Sequence, residues 1–148
     1  DNIIWAKGQF ALDGFTFDLF RCDARQAGRH LEAGSVDAIV TEPYLGPQRG
    51  AFDMGLVKKE LEELYSQSLE AFARLLKPKG KICMVWPVFS RGNHLSFLAP
   101  SYSGLKIARL WPDNMIAKIR PTLSERGMPV YSRPNQRVWR EIVVLEIK

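Results

Sequence analysis

The sequence predicts an α/β fold, and three observations carry that prediction. Val36 to Thr41 (VDAIVT) is short, β-branched and almost wholly apolar, the pattern of a strand covered on both faces. From about Val57 to Leu76, the residues Leu61, Leu64, Tyr65, Leu69, Phe72, Leu75 and Leu76 recur at three- and four-residue spacings, one apolar stripe of a helix. Lys81 to Val88 (KICMVWPV) then reads as a second buried strand. Such alternation argues a mainly parallel sheet flanked by helices, with two crossover helices readable.

The remaining elements follow in chain order. Asp1 to Phe10 reads as the tail of a helix. The aromatic-rich Phe15 to Cys22 (FTFDLFRC) reads as a strand, Arg25 to Glu32 as a helix, and Gly34-Ser35 as the break after it. Lys58, Lys59, Glu60, Glu62 and Glu63 mark the solvated side of the central helix, which Pro78 and Gly80 stop. A weaker helix is expected over His94 to Leu105 and a strand over Ile107 to Trp111. Val138 to Ile147 (VWREIVVLEI) is a clear final strand, and the stretch from about Leu105 onward suggests a hairpin-type pair.

Length and composition narrow the function classes. The chain has 148 residues, 46% hydrophobic and 25% charged, which suits one globular domain with its own core. No apolar run approaches the roughly 18–20 residues of a membrane span. Two cysteines, Cys22 and Cys83, make no disulfide framework and read as packed thiols in apolar strands; two histidines, His30 and His94, give no zinc spacing and read as surface residues. No secretory signal is read, so a reducing cytoplasm is the expected compartment. The net charge of +5 favours anionic partners, nucleic acid first.

Ligands of open α/β sheets bind beyond the carboxyl ends of the strands. Of the segments there, Thr41-Glu42-Pro43-Tyr44 says most. Proline freezes φ and has no N–H, so the turn is stiff. A carboxylate beside an unpaired backbone carbonyl can accept hydrogen bonds from an exocyclic amine. Tyr44 offers a flat face on which a base can stack, worth about 1–3 kcal/mol. The same residues also suit a rigid strand-to-helix turn with a satisfied glutamate, and the physics alone leaves both open.

Phe20-Arg21-Cys22-Asp23-Ala24, then Ser35 through Tyr44, then Leu75-Leu76-Lys77-Pro78-Lys79-Gly80-Lys81 together resemble a Rossmann-type S-adenosylmethionine-dependent methyltransferase that modifies a base amino group. Glu42-Pro43-Tyr44 is similar to the acid-Pro-Pro-aromatic motif of amino-methyltransferases. The nearest family is the THUMP-associated tRNA guanosine-N2 methyltransferases, whose final β-hairpin Tyr131 to Ile142 also resembles. The resemblance implies S-adenosyl-L-methionine as cofactor, held by Cys22, Asp23, Ala24 and Thr41, with Asp23 facing the adenine amino group. It implies Thr41, Glu42, Pro43 and Tyr44 as the catalytic set that grips and stacks the target base, and tRNA as the partner.

Two departures qualify what is carried over. The motif has one proline fewer and Glu for the usual Asp or Asn, so either Thr41 or Glu42 can occupy the acid position. The family's glycine-rich first motif is not found before Phe15. The expected fold is therefore a Rossmann-like methyltransferase sheet lacking its first two strands, the C-terminal half to two-thirds of a catalytic domain. The strand at Phe15 to Cys22 would then have no neighbour, and an upstream segment or a second copy in a homodimer would complete the sheet.

Lys106, Arg109, Lys118, Arg120, Arg126, Arg133, Arg137 and Arg140 make the C-terminal third basic, with Trp111, Tyr131 and Trp139 between them, as phosphate-backbone binding requires; a solvated hairpin over an aromatic core is the plainer alternative. Arg49, Arg133, Arg137 and Arg140 are the candidate nucleic-acid contacts. Arg49 lies in the glycine-rich loop Gly46 to Gly55, which reads as a substrate lid or an irregular surface loop. Two competing readings remain: a DNA adenine-N6 or cytosine-N4 methyltransferase, and a degenerate cofactor-free module that binds RNA. The absence of a late Phe-x-Gly-x-Gly disfavours the permuted DNA enzyme, whereas the missing first motif supports the module.

Overall fold

The computed structural model describes residues 17–119 and 123–148, together with Ile4, Trp5 and Gly8, which are helical. The rest of the expected helix over Asp1 to Phe10, and Phe15 and Thr16 of the expected first strand, lie outside the described residues. Among the described residues six strands form one sheet: β1 (Val36–Thr41), β2 (Leu76–Arg91), β3 (His94–Phe97), β4 (Leu105–Ile107), β5 (Val130–Tyr131) and β6 (Val138–Ile147). Its spine runs β1-β2-β6-β4, with β3 beside β2 and β5 beside β6.

β1 and β2 pair parallel, and helix α1 (Met54–Leu75) is the crossover that such a pair requires. Every other ladder is antiparallel. Because β6 opposes both β2 and β4, the strands β1, β2 and β4 nevertheless point the same way. The expected mainly parallel sheet is thus right in strand direction and wrong in pairing, since β6 is inserted between two strands that would otherwise be parallel neighbours. Among the described residues α1 alone joins parallel neighbours.

α1 begins three residues before the expected Val57 because the Asp53 side chain caps it, accepting from the Leu56 N–H at 3.1 Å. Its buried stripe of Leu61, Tyr65, Leu69, Phe72 and Leu75 matches the sequence periodicity. Of that stripe Leu61, Tyr65, Leu69 and Phe72 share one core cluster with Ile82, Met84 and Trp86 of β2, Val143 and Leu145 of β6, and Leu98 and Leu105.

Among the described residues the core contains one charged group. Glu141 is wholly buried opposite Trp86 in the β2–β6 ladder. Its carboxylate accepts from Arg126 Nε at 3.0 Å; the same guanidinium lies 5.1 Å from the centre of the Trp86 ring and donates to the Leu98 carbonyl at 2.7 Å. Arg126 therefore clamps the chain before β5 onto the sheet, and is not the solvated charge that the sequence suggested.

Four further expectations are corrected. Residues 17–23 form no strand, because β1 is the last strand of the spine on their side and no described strand pairs with them. Cys22 is consequently exposed rather than packed, while Cys83 is half-buried. The helix expected over Arg25 to Glu32 is a short 3-10 turn, Ala24–Arg29. β1 is not covered on both faces: Val40 is 78% exposed.

A fifth correction is larger. His94 starts β3, not a helix, because Gly92, at φ 60°, makes a two-residue hairpin turn with Asn93 that returns the chain along β2. After β4, which is shorter than the strand expected at Ile107 to Trp111 and starts earlier, a short helix α2 (Asp113–Ile119) follows. β6 matches its expected bounds, and the antiparallel β4–β6 pair bears out the hairpin-like end of the chain. Among the described residues no helix is long and apolar enough to cross a membrane.

Candidate functional site

Thr41 is the last residue of β1, so Glu42, Pro43 and Tyr44 leave the sheet at its carboxyl end, as the sequence predicts. The backbone there is held from inside. Tyr65 of α1, fully buried, donates its hydroxyl to the Tyr44 carbonyl at 2.8 Å. Burial, reinforced by the Glu42 carboxylate, pushes the Tyr65 phenol above its ordinary range, so the group stays a donor. Two residues on, Gly46 turns at φ 88°, and a Cβ there would meet Val57, Leu61 and Phe89 at 3.2–3.3 Å. Only glycine fits that position without strain. The outcome is a rigid strand-to-helix turn that leaves the Tyr44 ring 64% exposed.

Glu42 is exposed, and its carboxylate accepts from Arg140 Nε of β6 at 2.8 Å. The sequence suggested a nucleic-acid contact for Arg140; the structure gives its charge to Glu42. Thr41 and Pro43 instead line a small, mostly apolar cavity of about 80 Å³ with Ala24, Tyr65, Phe72 and Met84. Thr41 and Pro43 thus meet Ala24, from before β1, at one place. Asp23 stands beside them as the cap of the 3-10 turn, where the Arg25 side chain and backbone N–H hold its carboxyl down to about 2. Cys22 lies next to it, exposed.

The remaining nucleic-acid candidates separate. Arg49 is exposed in the loop beyond Gly46. Arg137 donates to the Gly50 carbonyl of that loop at 3.3 Å, and Phe52 packs 6.3 Å from Phe89 between ring centres. Met54 and Gly55 belong to α1, so the expected lid is shorter than its glycines suggested and is tied at two points. Arg133 lies over the Tyr131 ring at 5.8 Å and donates to its hydroxyl at 2.7 Å. The basic C-terminal third is smaller than its arginines and lysines imply, because Glu141 and Glu146 engage Arg126 and Lys106. Arg120 lies outside the described residues. The Glu42–Arg140 pair is the site feature that sequence reasoning missed, and no local pattern signals a contact between residues so far apart.

No family model and no curated protein matches the sequence. Solved structures do. TrmN from Thermus thermophilus aligns with a TM-score of 0.51 at 21% identity over 87% of this chain. PvuII DNA methyltransferase (cytosine-N4-specific) aligns with a TM-score of 0.48 at 12% identity over 86% of it. The chain spans 28% of the length of TrmN and 48% of that of the PvuII enzyme. The likeness to TrmN shows the fold alone, a Rossmann-like α/β sheet with the spine β1-β2-β6-β4.

Proposed function

We propose that the chain is part of an S-adenosylmethionine-dependent methyltransferase acting on an exocyclic amine of a nucleic-acid base, with guanosine N2 of tRNA as the favoured target. The observation that carries this is the rigid Thr41-Glu42-Pro43-Tyr44 turn at the carboxyl end of β1, which leaves the aromatic ring exposed beside a carboxylate. The fold of TrmN agrees with it, and the name of the PvuII enzyme states the competing DNA cytosine-N4 chemistry.

The residues present fit the adenosyl end of the cofactor. Ala24 and Thr41 wall one cavity, and Asp23, the residue before Ala24, holds its carboxylate against Arg25. Among the described residues before β1 no glycine-rich turn follows a strand to cradle the methionine end. The cofactor supplies an electrophilic methyl carbon. What this chain supplies is placement: Tyr44 stacks the base, Pro43 fixes the turn, and Thr41 or Glu42 accepts a hydrogen bond from the amine N–H. A strong base is unnecessary, because an amine gives up its proton readily once its nitrogen has gained a fourth bond. Positioning the nitrogen about 3 Å from the methyl carbon is the larger contribution.

Tyr44→Ala separates this reading from a cofactor-free RNA-binding module. Methyl transfer to unmodified tRNA should fall about a hundredfold while tRNA affinity changes by less than about threefold. Equal loss of transfer and affinity would favour the binding module. Transfer to a DNA duplex in preference to tRNA would favour the DNA enzyme.

A further inference from the structure

We propose that a groove at the open end of β2 binds the sugar-phosphate backbone of a single-stranded nucleic acid flanking the modified base. The proposal deepens the reading above and rests on it only for where the reacting base sits. One hollow, of about 770 Å³, lies between the loop from Gly50 to Gly55, the β2 end from Phe89 to Gly92, and Arg137. A second, of about 620 Å³, runs on from it, sharing Ser90, Gly92 and Arg137 and reaching Arg133, Asn135 and Trp139. Two connected open hollows suit an extended chain better than an enclosed small molecule.

Charge selects the occupant. Arg126, Arg140, Arg25 and Arg74 each pair with a carboxylate. Arg91, Arg133 and Arg137 make no ion pair among the described residues, and all three line this groove. Asp53 is the one carboxylate lining it, and its side chain is engaged in capping α1. Planar guanidinium forks match phosphate oxygens. Trp139, fixed by its Nε1–H to the Gln136 carbonyl at 3.1 Å, adds an aromatic surface on which a flanking base can stack. Arg137 and Arg140 are three residues apart at the same end of β6, where side chains alternate between the two faces of the sheet; the groove, lined by Arg137 and not by Arg140 or Glu42, takes neighbouring nucleotides rather than the target.

The test is anisotropy of labelled ten-nucleotide single-stranded RNA and DNA, without cofactor, over a salt series. The double variant Arg91→Ala/Arg137→Ala should bind at least tenfold more weakly. Its plot of log affinity against log salt should flatten by about 1.4, two phosphate contacts at about 0.7 each. Lys59→Ala, on the solvated side of α1, should change neither. Equal RNA and DNA affinity supports recognition of phosphate alone, and RNA preference supports added reading of the 2′-hydroxyl. An unchanged salt slope, a duplex bound as tightly as a single strand, or a polyglutamate peptide competing as well as the oligonucleotide overturns the proposal. Should the double variant not fold, Arg91→Ala alone decides the matter in the same way, with half the slope change. Loss of cofactor binding or methyl transfer would sink the enzyme reading and leave this binding intact, so the two failures are distinguishable.

Discussion

Arg140 of β6 donates to the Glu42 carboxylate at 2.8 Å across 98 residues of sequence, joining the last strand of the chain to the turn after the first. The pair sits at the carboxyl end of the sheet beside the exposed Tyr44 ring. Because Glu42 is about half exposed, the pair adds little to stability. Its consequence is orientation of the carboxylate.

If Arg140 acts by orienting Glu42, the two residues form one unit. Arg140→Ala should slow methyl transfer about tenfold, Glu42→Ala about a hundredfold, and the double variant no more than Glu42→Ala alone. Cofactor affinity should stay within about twofold throughout. Multiplying losses in the double variant would show that Arg140 acts elsewhere, on the nucleic acid.

The Tyr65 hydroxyl should matter to stability through the Tyr44 carbonyl. Tyr65→Phe removes a buried neutral hydrogen bond and should lower unfolding free energy by about 1 kcal/mol, read as a shift of the urea midpoint at constant slope. An unchanged midpoint would mean that water replaces the phenol at no cost.

Gly46→Ala should cost more. The positive φ alone penalises an L-residue by about 1–2 kcal/mol, and the new methyl must displace Val57, Leu61 or Phe89, already at 3.2–3.3 Å. Thermal melting should show the loss, and transfer activity should fall with it because the turn carries Tyr44.

Glu141 gives the fold a particular pH dependence. Burial raises its carboxyl above the ordinary 4.5 in spite of Arg126. In the folded state it therefore holds its proton more tightly than in the unfolded chain. Its contribution to stability is fully present below 4.5 and is lost as pH rises through the folded value. Glu141→Gln should remove this component, so that the wild-type protein gains stability relative to the variant as pH falls towards 4.5. Parallel curves of unfolding free energy against pH for the two proteins would contradict the assignment.

Much of this was legible in the sequence because it is local. The α1 stripe, the apolar run of β1 and the alternation of β6 each report periodicity, and the Thr41 to Tyr44 turn follows from the residues after a strand. Pairing is not local. Whether residues 17–23 make a strand depends on a neighbour, and none is present among the described residues, so an aromatic-rich run that favours a strand forms no ladder. The helix expected over His94 to Leu105 fails for a related reason: Gly92-Asn93 is a hairpin turn, and the strand after it exists only by pairing back on β2. Glu141 and Glu146 sit in a strand that periodicity reads as apolar, and only the fold shows that they engage Arg126 and Lys106.

Whether this chain holds the cofactor is decided by calorimetric titration of S-adenosylmethionine into it. Binding at a single site in the micromolar range is expected, weakened at least tenfold by Asp23→Ala and left within about twofold by Tyr44→Ala. No heat of binding at millimolar cofactor, or affinity that Asp23→Ala does not change, would contradict the assignment of Asp23, Ala24 and Thr41 to the adenosyl end.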